Sequence, residues 1–76
     1  MSNDVYIYRA AMFRGDSVYG LMNAMRYTPR FLKEGNTVTF DVARSGREFI
    51  VSGERAGELV SLALSAYGGT SRKISE

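Results

Sequence analysis

The chain has 76 residues, a formal charge of +2, and no histidine, cysteine or tryptophan. Those absences exclude disulfides, thiolate nucleophiles and cysteine-type metal centres, together with the commonest general base and transition-metal ligand. The length allows one small domain, which buries only about 60–65% of its unfolded surface and so depends on regular secondary structure or on association for its stability.

Eight of the ten cations are arginines, and five cations (Arg9, Arg14, Arg26, Arg30, Lys33) against one anion (Asp16) lie between residues 9 and 33. From residue 36 onward the two signs balance. The polar start of the chain predicts no signal peptide, and the longest apolar stretch, residues 59–66, is broken by Ser61 and Ser65. That is far short of the roughly 20 residues that cross a membrane. The expected setting is the cytoplasm, with no membrane contact.

Residues 4–10 are β-branched and aromatic and alternate, which predicts a strand with Val5 and Ile7 on one face and Tyr6 and Tyr8 on the other. Asp16 or Ser17 can cap a helix that carries Val18, Leu21, Met22 and Met25 at i, i+3, i+4 and i+7. This helix is expected to stop near Tyr27, because Pro29 disfavours helical geometry at Thr28. Pro29 can open one further turn over 30–33, closed by Gly35 and Asn36.

Residues 37–44 and 47–52 then alternate around Ser45-Gly46, the pattern of a hairpin. With Ser45-Gly46 as the turn, Val42 faces Phe49, Phe40 faces Val51, and Arg44 stands beside Arg47. Val38, Phe40, Val42, Phe49 and Val51 then share one face, and Thr39, Asp41, Ile50 and Ser52 lie on the other. Residues 54–67 form the last predicted helix, with Ala56, Leu59, Val60, Ala63 and Tyr67 inward and Gly68-Gly69 closing it. Residues 70–76 are polar and are expected to form a flexible tail after a single compact domain over 1–69.

The predicted fold class is α+β, in the order β-α-β-β-α, with a three-stranded sheet and the helices packed on one of its faces. Counting residues 30–33 as a helix makes the order β-α-α-β-β-α, which is also that of the K-homology RNA-binding domain. That family requires a Gly-x-x-Gly loop between its first two helices, which is absent around residues 27–29, so no family is assigned.

Catalysis needs a nucleophile beside a base, tuned carboxylates or a metal. The serines here have no histidine to activate them, most of the carboxylates fall at caps, turns and outer faces, and Gly15 and Gly20 fit no nucleotide fingerprint. No catalytic residue, metal or cofactor is therefore predicted, and the protein is read as a non-enzyme.

Three surfaces could bind. The first is the outer sheet face, with Tyr6, Tyr8 and Ile50 and with Arg44 and Arg47 at the hairpin tip, a composition suited to a protein interface. The second is the basic segment, where Arg9, Arg14, Arg26, Arg30 and Lys33 interleave with aromatics such as Tyr27 in the manner of a nucleic-acid surface. The third is a ridge of small residues on the last helix, Gly57, Ser61 and Ser65, which suits close approach of a second copy. The leading expectation is a small binding protein that regulates or inhibits a protein partner, a class that includes phage and plasmid accessory proteins. Nucleic-acid binding is the alternative, and a structural homodimer or larger homo-oligomer the third.

Overall fold

A computed structural model describes residues 4–11 and 15–75, with only the backbone for residues 15 and 16. Strands β1 (Asp4–Arg9), β2 (Asp41–Ser45), β3 (Glu48–Gly53) and β4 (Thr70–Lys73) form one sheet with the order β2-β3-β1-β4. Every pairing is antiparallel. Helix α1 (Gly15–Met25) joins β1 to β2 across β3, and α2 (Ala56–Tyr67) joins β3 to β4 across β1. The protein is thus α+β with two helices and the split β-α-β arrangement known as ferredoxin-like.

The sheet has four strands rather than the three expected. Residues 70–73, read from sequence as tail, pair with β1 from Tyr6↔Lys73 to Arg9↔Thr70. Pairing runs on past the strand, since the Ile74 N–H donates to the Val5 carbonyl at 2.8 Å. The Val5 N–H in turn donates to Ser75 Oγ at 2.9 Å. A polar edge strand needs no apolar alternation, because its backbone hydrogen bonds hold it to its neighbour.

The hairpin forms with a different register. The turn is Gly46-Arg47, and Val42 lies opposite Val51 while Arg44 lies opposite Phe49. Gly46 takes a positive φ of 64° at the first central position, where glycine meets no Cβ strain. The partner shifts by two residues, so each side chain stays on its predicted face, but Arg44 and Arg47 no longer stand opposite each other. Residues 37–40 are not part of β2. The chain turns at Thr39, where the hydroxyl donates to the Phe31 carbonyl and the carbonyl accepts from the Arg55 N–H. Thr39 is therefore buried rather than outward-facing.

Both helices lie on one side of the sheet, over Tyr8, Val42, Phe49 and Val51. From α1, Val18 and Met22 are buried, and the Tyr19 ring stacks 6.3 Å from that of Phe49. Leu21, expected in the core stripe, is 47% exposed. From α2, Ala56, Leu59, Val60 and Ala63 fill the core as the period predicted. Gly68 closes α2 as expected, donating its N–H to the Leu64 carbonyl at 2.9 Å. After α1, the Phe31 and Leu32 N–H groups both donate to the Thr28 carbonyl, so Pro29 does open a turn. That turn seats Phe31, fully buried, edge-on against Phe40 with ring centroids 5.0 Å apart.

Candidate functional site

The register of the central strands decides which residues face the helices. In β1, Tyr6 pairs with Val51 and Tyr8 with Phe49. Opposed residues share a face, so both tyrosines point to the core side. Tyr8 is fully buried, its ring stacks 6.2 Å from that of Phe49, and its hydroxyl donates to the Gly68 carbonyl at 2.7 Å. The Ala63 carbonyl lies 3.2 Å from the same hydroxyl, so the phenol ties β1 to the C-terminal end of α2. Burial raises the Tyr8 phenol above the ordinary tyrosine range, and the nearby Tyr67 adds to the effect. Tyr6 is partly buried against the same core, with its hydroxyl lying where a side chain on Gly57 would begin. The expectation that Tyr6 and Tyr8 look outward is corrected: the register with β3 turns both toward the helices and Val5 and Ile7 outward.

The outer face is consequently built from the other half of each strand. Its central row runs Ala43, Ile50, Ile7 and Arg72 across the four strands. The next row is Asp41, Ser52 and Val5, continued by Ile74 through the Val5 backbone. At the opposite end Ser45 lies beside Glu48, and Arg9 lies beside Thr70. Arg9 and Glu48 are level on the central strands, one step beyond the Tyr8–Phe49 pair. They share a shallow hollow of about 200 Å³ with Ile7, Thr70 and Arg72. Val5, Ile7 and Ile50 are half-buried, Ala43 is exposed, and Ile74 is 48% exposed. The face therefore has an apolar centre with arginines toward the β4 side and carboxylates toward the β2 side.

Of the predicted protein-contact residues, only Ile50 lies in this face. Arg44 sits beside Phe49 on the helix side at the hairpin end, where its Nε donates to the Gly46 carbonyl at 3.2 Å. Arg47 occupies the turn. The face also holds Val5, Ile7, Ala43 and Ile74, which the sequence pattern does not single out. For β1 no signal in the sequence could have chosen between the two apolar faces, since its partner strand and register are not encoded locally.

The basic segment does not form a continuous surface. Arg9 lies on the outer sheet face, and Arg14 lies outside the described residues. Arg26 forms an ion pair with Asp41 and places its guanidinium 5.2 Å from the centre of the Tyr27 ring. Lys33 Nζ donates to both carboxylate oxygens of Glu54 at 2.7 Å. The Arg30 guanidinium lies 5.6 Å from the centre of the Phe31 ring, while Arg55 covers the same ring at 4.9 Å. The small-residue ridge is divided too. Gly57 packs against Tyr6, whereas Ser61 and Ser65 are exposed. Gly57 is thus explained inside the fold, because a Cβ there would come within 2.9 Å of the Tyr6 hydroxyl.

A second apolar surface lies between the helices, a groove of about 220 Å³ bordered by Leu21, Met25, Leu62 and Ala66. Among the described residues no three acidic, histidine or cysteine side chains cluster so as to hold a metal ion. No described helix is long and apolar enough to cross a membrane. Comparison with protein-family models, with curated proteins and with solved structures finds no match to this chain.

Proposed function

We propose that this protein is a small, non-enzymatic binding domain that acts by protein–protein contact through the outer face of its sheet, regulating or inhibiting the protein it docks onto. One observation carries the reading: both helices cover one face of the sheet, and the other has an open apolar centre of Val5, Ile7, Ile50 and Ala43 rimmed by Arg9, Arg72, Glu48 and Asp41. An apolar centre with a charged rim is the composition of a specific protein interface. The nucleic-acid alternative draws less support. Of its residues, Arg26 and Lys33 are paired with carboxylates and Arg9 lies apart on the outer sheet face, while the exposed Tyr27 carries the Arg26 guanidinium over its ring. A sheet that binds single-stranded nucleic acid presents aromatic rings on its open face, and this one presents aliphatic side chains.

The test uses Ile50→Arg, which places a charge at the centre of the face, with Ser61→Arg on the exposed side of α2 as its control. Wild-type, Ile50→Arg and Ser61→Arg proteins, each shown to be folded by circular dichroism, are immobilised and offered extract of the source cells with and without nuclease treatment. A discrete protein retained by wild type and Ser61→Arg but lost with Ile50→Arg is the expected result. Retention by Ile50→Arg would overturn the reading. So would binding that requires nucleic acid and falls steeply with salt.

A further inference from the structure

We infer that the outer sheet face docks onto a second copy of this chain, forming a two-fold dimer face to face; the inference rests on the role proposed for that face. Its basis is that the face complements itself. The complementary charges are Arg9 and Glu48, which stand level on the two central strands, whereas Asp41 at the β2 edge is already paired with Arg26. The signs are also separated, with the arginines on β1 and β4 and the carboxylates on β3 and β2.

A two-fold axis in the plane of the interface, running along the strands between β1 and β3, exchanges those two halves. It lays β1 of one copy over β3 of the other and keeps each residue at its own level along the strands. Ile7 then meets Ile50 of the second copy, and Ile50 meets Ile7, so four isoleucines meet about the axis. One step along, Arg9 meets Glu48 of the second copy, and the pair is repeated by symmetry. Within one chain these two residues are level on neighbouring strands, yet among the described residues neither has an ion-pair partner. Packed sheets keep their strands within about 30° of each other, so contacts close to the axis survive the twist.

Four strands about 4.8 Å apart and six residues with a rise of about 3.3 Å cover roughly 19 by 20 Å, about 380 Å² per copy and about 760 Å² over both, the size of a weak, transient contact. An interface of this size predicts a dimer in exchange with monomer. It would also supply part of the stability that a chain of this length does not obtain from its own core.

Sedimentation equilibrium of wild type, Arg9→Glu, Glu48→Arg, the double exchange and Ile50→Arg tests the dimer, with circular dichroism showing that each is folded. Wild type is expected to pass from monomer to dimer as its concentration rises. Each single charge reversal should weaken dimerisation by at least about tenfold, because symmetry makes the repulsive pair occur twice. The double exchange restores the attraction with reversed signs and should recover most of the affinity, which an unfolding artefact would not do. Ile50→Arg should be monomeric. A wild type that stays monomeric at millimolar concentration would overturn the dimer. It would leave the protein-docking role of the face to be judged by the capture experiment. A dimer indifferent to Ile50→Arg, or single reversals that the double exchange fails to rescue, would overturn it as well.

Discussion

The inner and outer faces of the sheet come from the same strands and alternate residue by residue, yet they are finished in opposite ways. On the inner face Tyr8, Phe49 and Val51 are at most 1% exposed and lie beneath two helices. On the outer face their neighbours Ile7 and Ile50 have no helix over them and remain partly open to solvent. Strand β1 carries the reason: Val5-Tyr6-Ile7-Tyr8 is apolar or aromatic at every position. An antiparallel sheet with one solvated face ordinarily alternates apolar with polar side chains. Here burying the tyrosines leaves a second apolar surface, and exposed apolar patches mark contact sites. The difference teaches that the large aromatics form the core and the smaller aliphatics form the open face.

The largest effect should come from the inner face. Phe49→Ala removes a ring that stacks on both Tyr8 and Tyr19 and should destabilise the fold by about 3–5 kcal/mol, read from urea denaturation. A loss below about 1 kcal/mol would mean that the helices do not pack there. Next comes Gly53, at the end of β3, whose φ is 135° and where a Cβ would lie 2.6 Å from the Phe40 Cα and the Thr39 carbonyl. Gly53→Ala should cost on the order of 1–3 kcal/mol through backbone strain and that close approach.

Tyr8→Phe removes one buried hydroxyl and leaves the Gly68 carbonyl without that donor, for a loss of about 1–2 kcal/mol at neutral pH. It also has a pH signature. Burial raises the Tyr8 phenol in the folded protein above its value of about 10 in the unfolded chain. The folded state therefore holds this proton more tightly. Its contribution is complete below about pH 10 and is lost as the pH rises through the folded value. Wild type should thus lose stability with rising pH in the alkaline range more steeply than Tyr8→Phe does, measured by denaturation at a series of pH values. The smallest effect on folding belongs to the outer face. Ile7→Ser should change the stability of the monomer by less than about 1 kcal/mol while weakening association. A loss as large as that of Phe49→Ala would contradict the assignment of the faces.

The elements that could be read from sequence are those whose residues carry their own period or turn chemistry. The stripe Ala56, Leu59, Val60 and Ala63 marks α2, and Gly68 marks its end. The hairpin was legible in its faces but not in its register, because a shift of two residues leaves every side chain on the same side and only the turn geometry at Gly46 selects the pairing. Two features depended on contacts distant in sequence. The orientation of β1 is set by its register with β3, some forty residues away, and both of its faces are apolar. Strand β4 is held by backbone bonds to β1 and exposes polar side chains, so composition marks it as tail. These two gaps explain why the candidate site was legible only at Ile50. Its remaining apolar members come from β1, from the edge of β2 and from the end of the chain.

Sedimentation equilibrium on Ile50→Arg, paired with its denaturation curve, tests the account most directly. If the outer face is a docking surface and not a second core, the variant keeps the unfolding free energy of the isolated wild-type monomer to within about 1 kcal/mol and remains monomeric at concentrations where wild type associates. A variant that unfolds, or one that associates as wild type does, would contradict it.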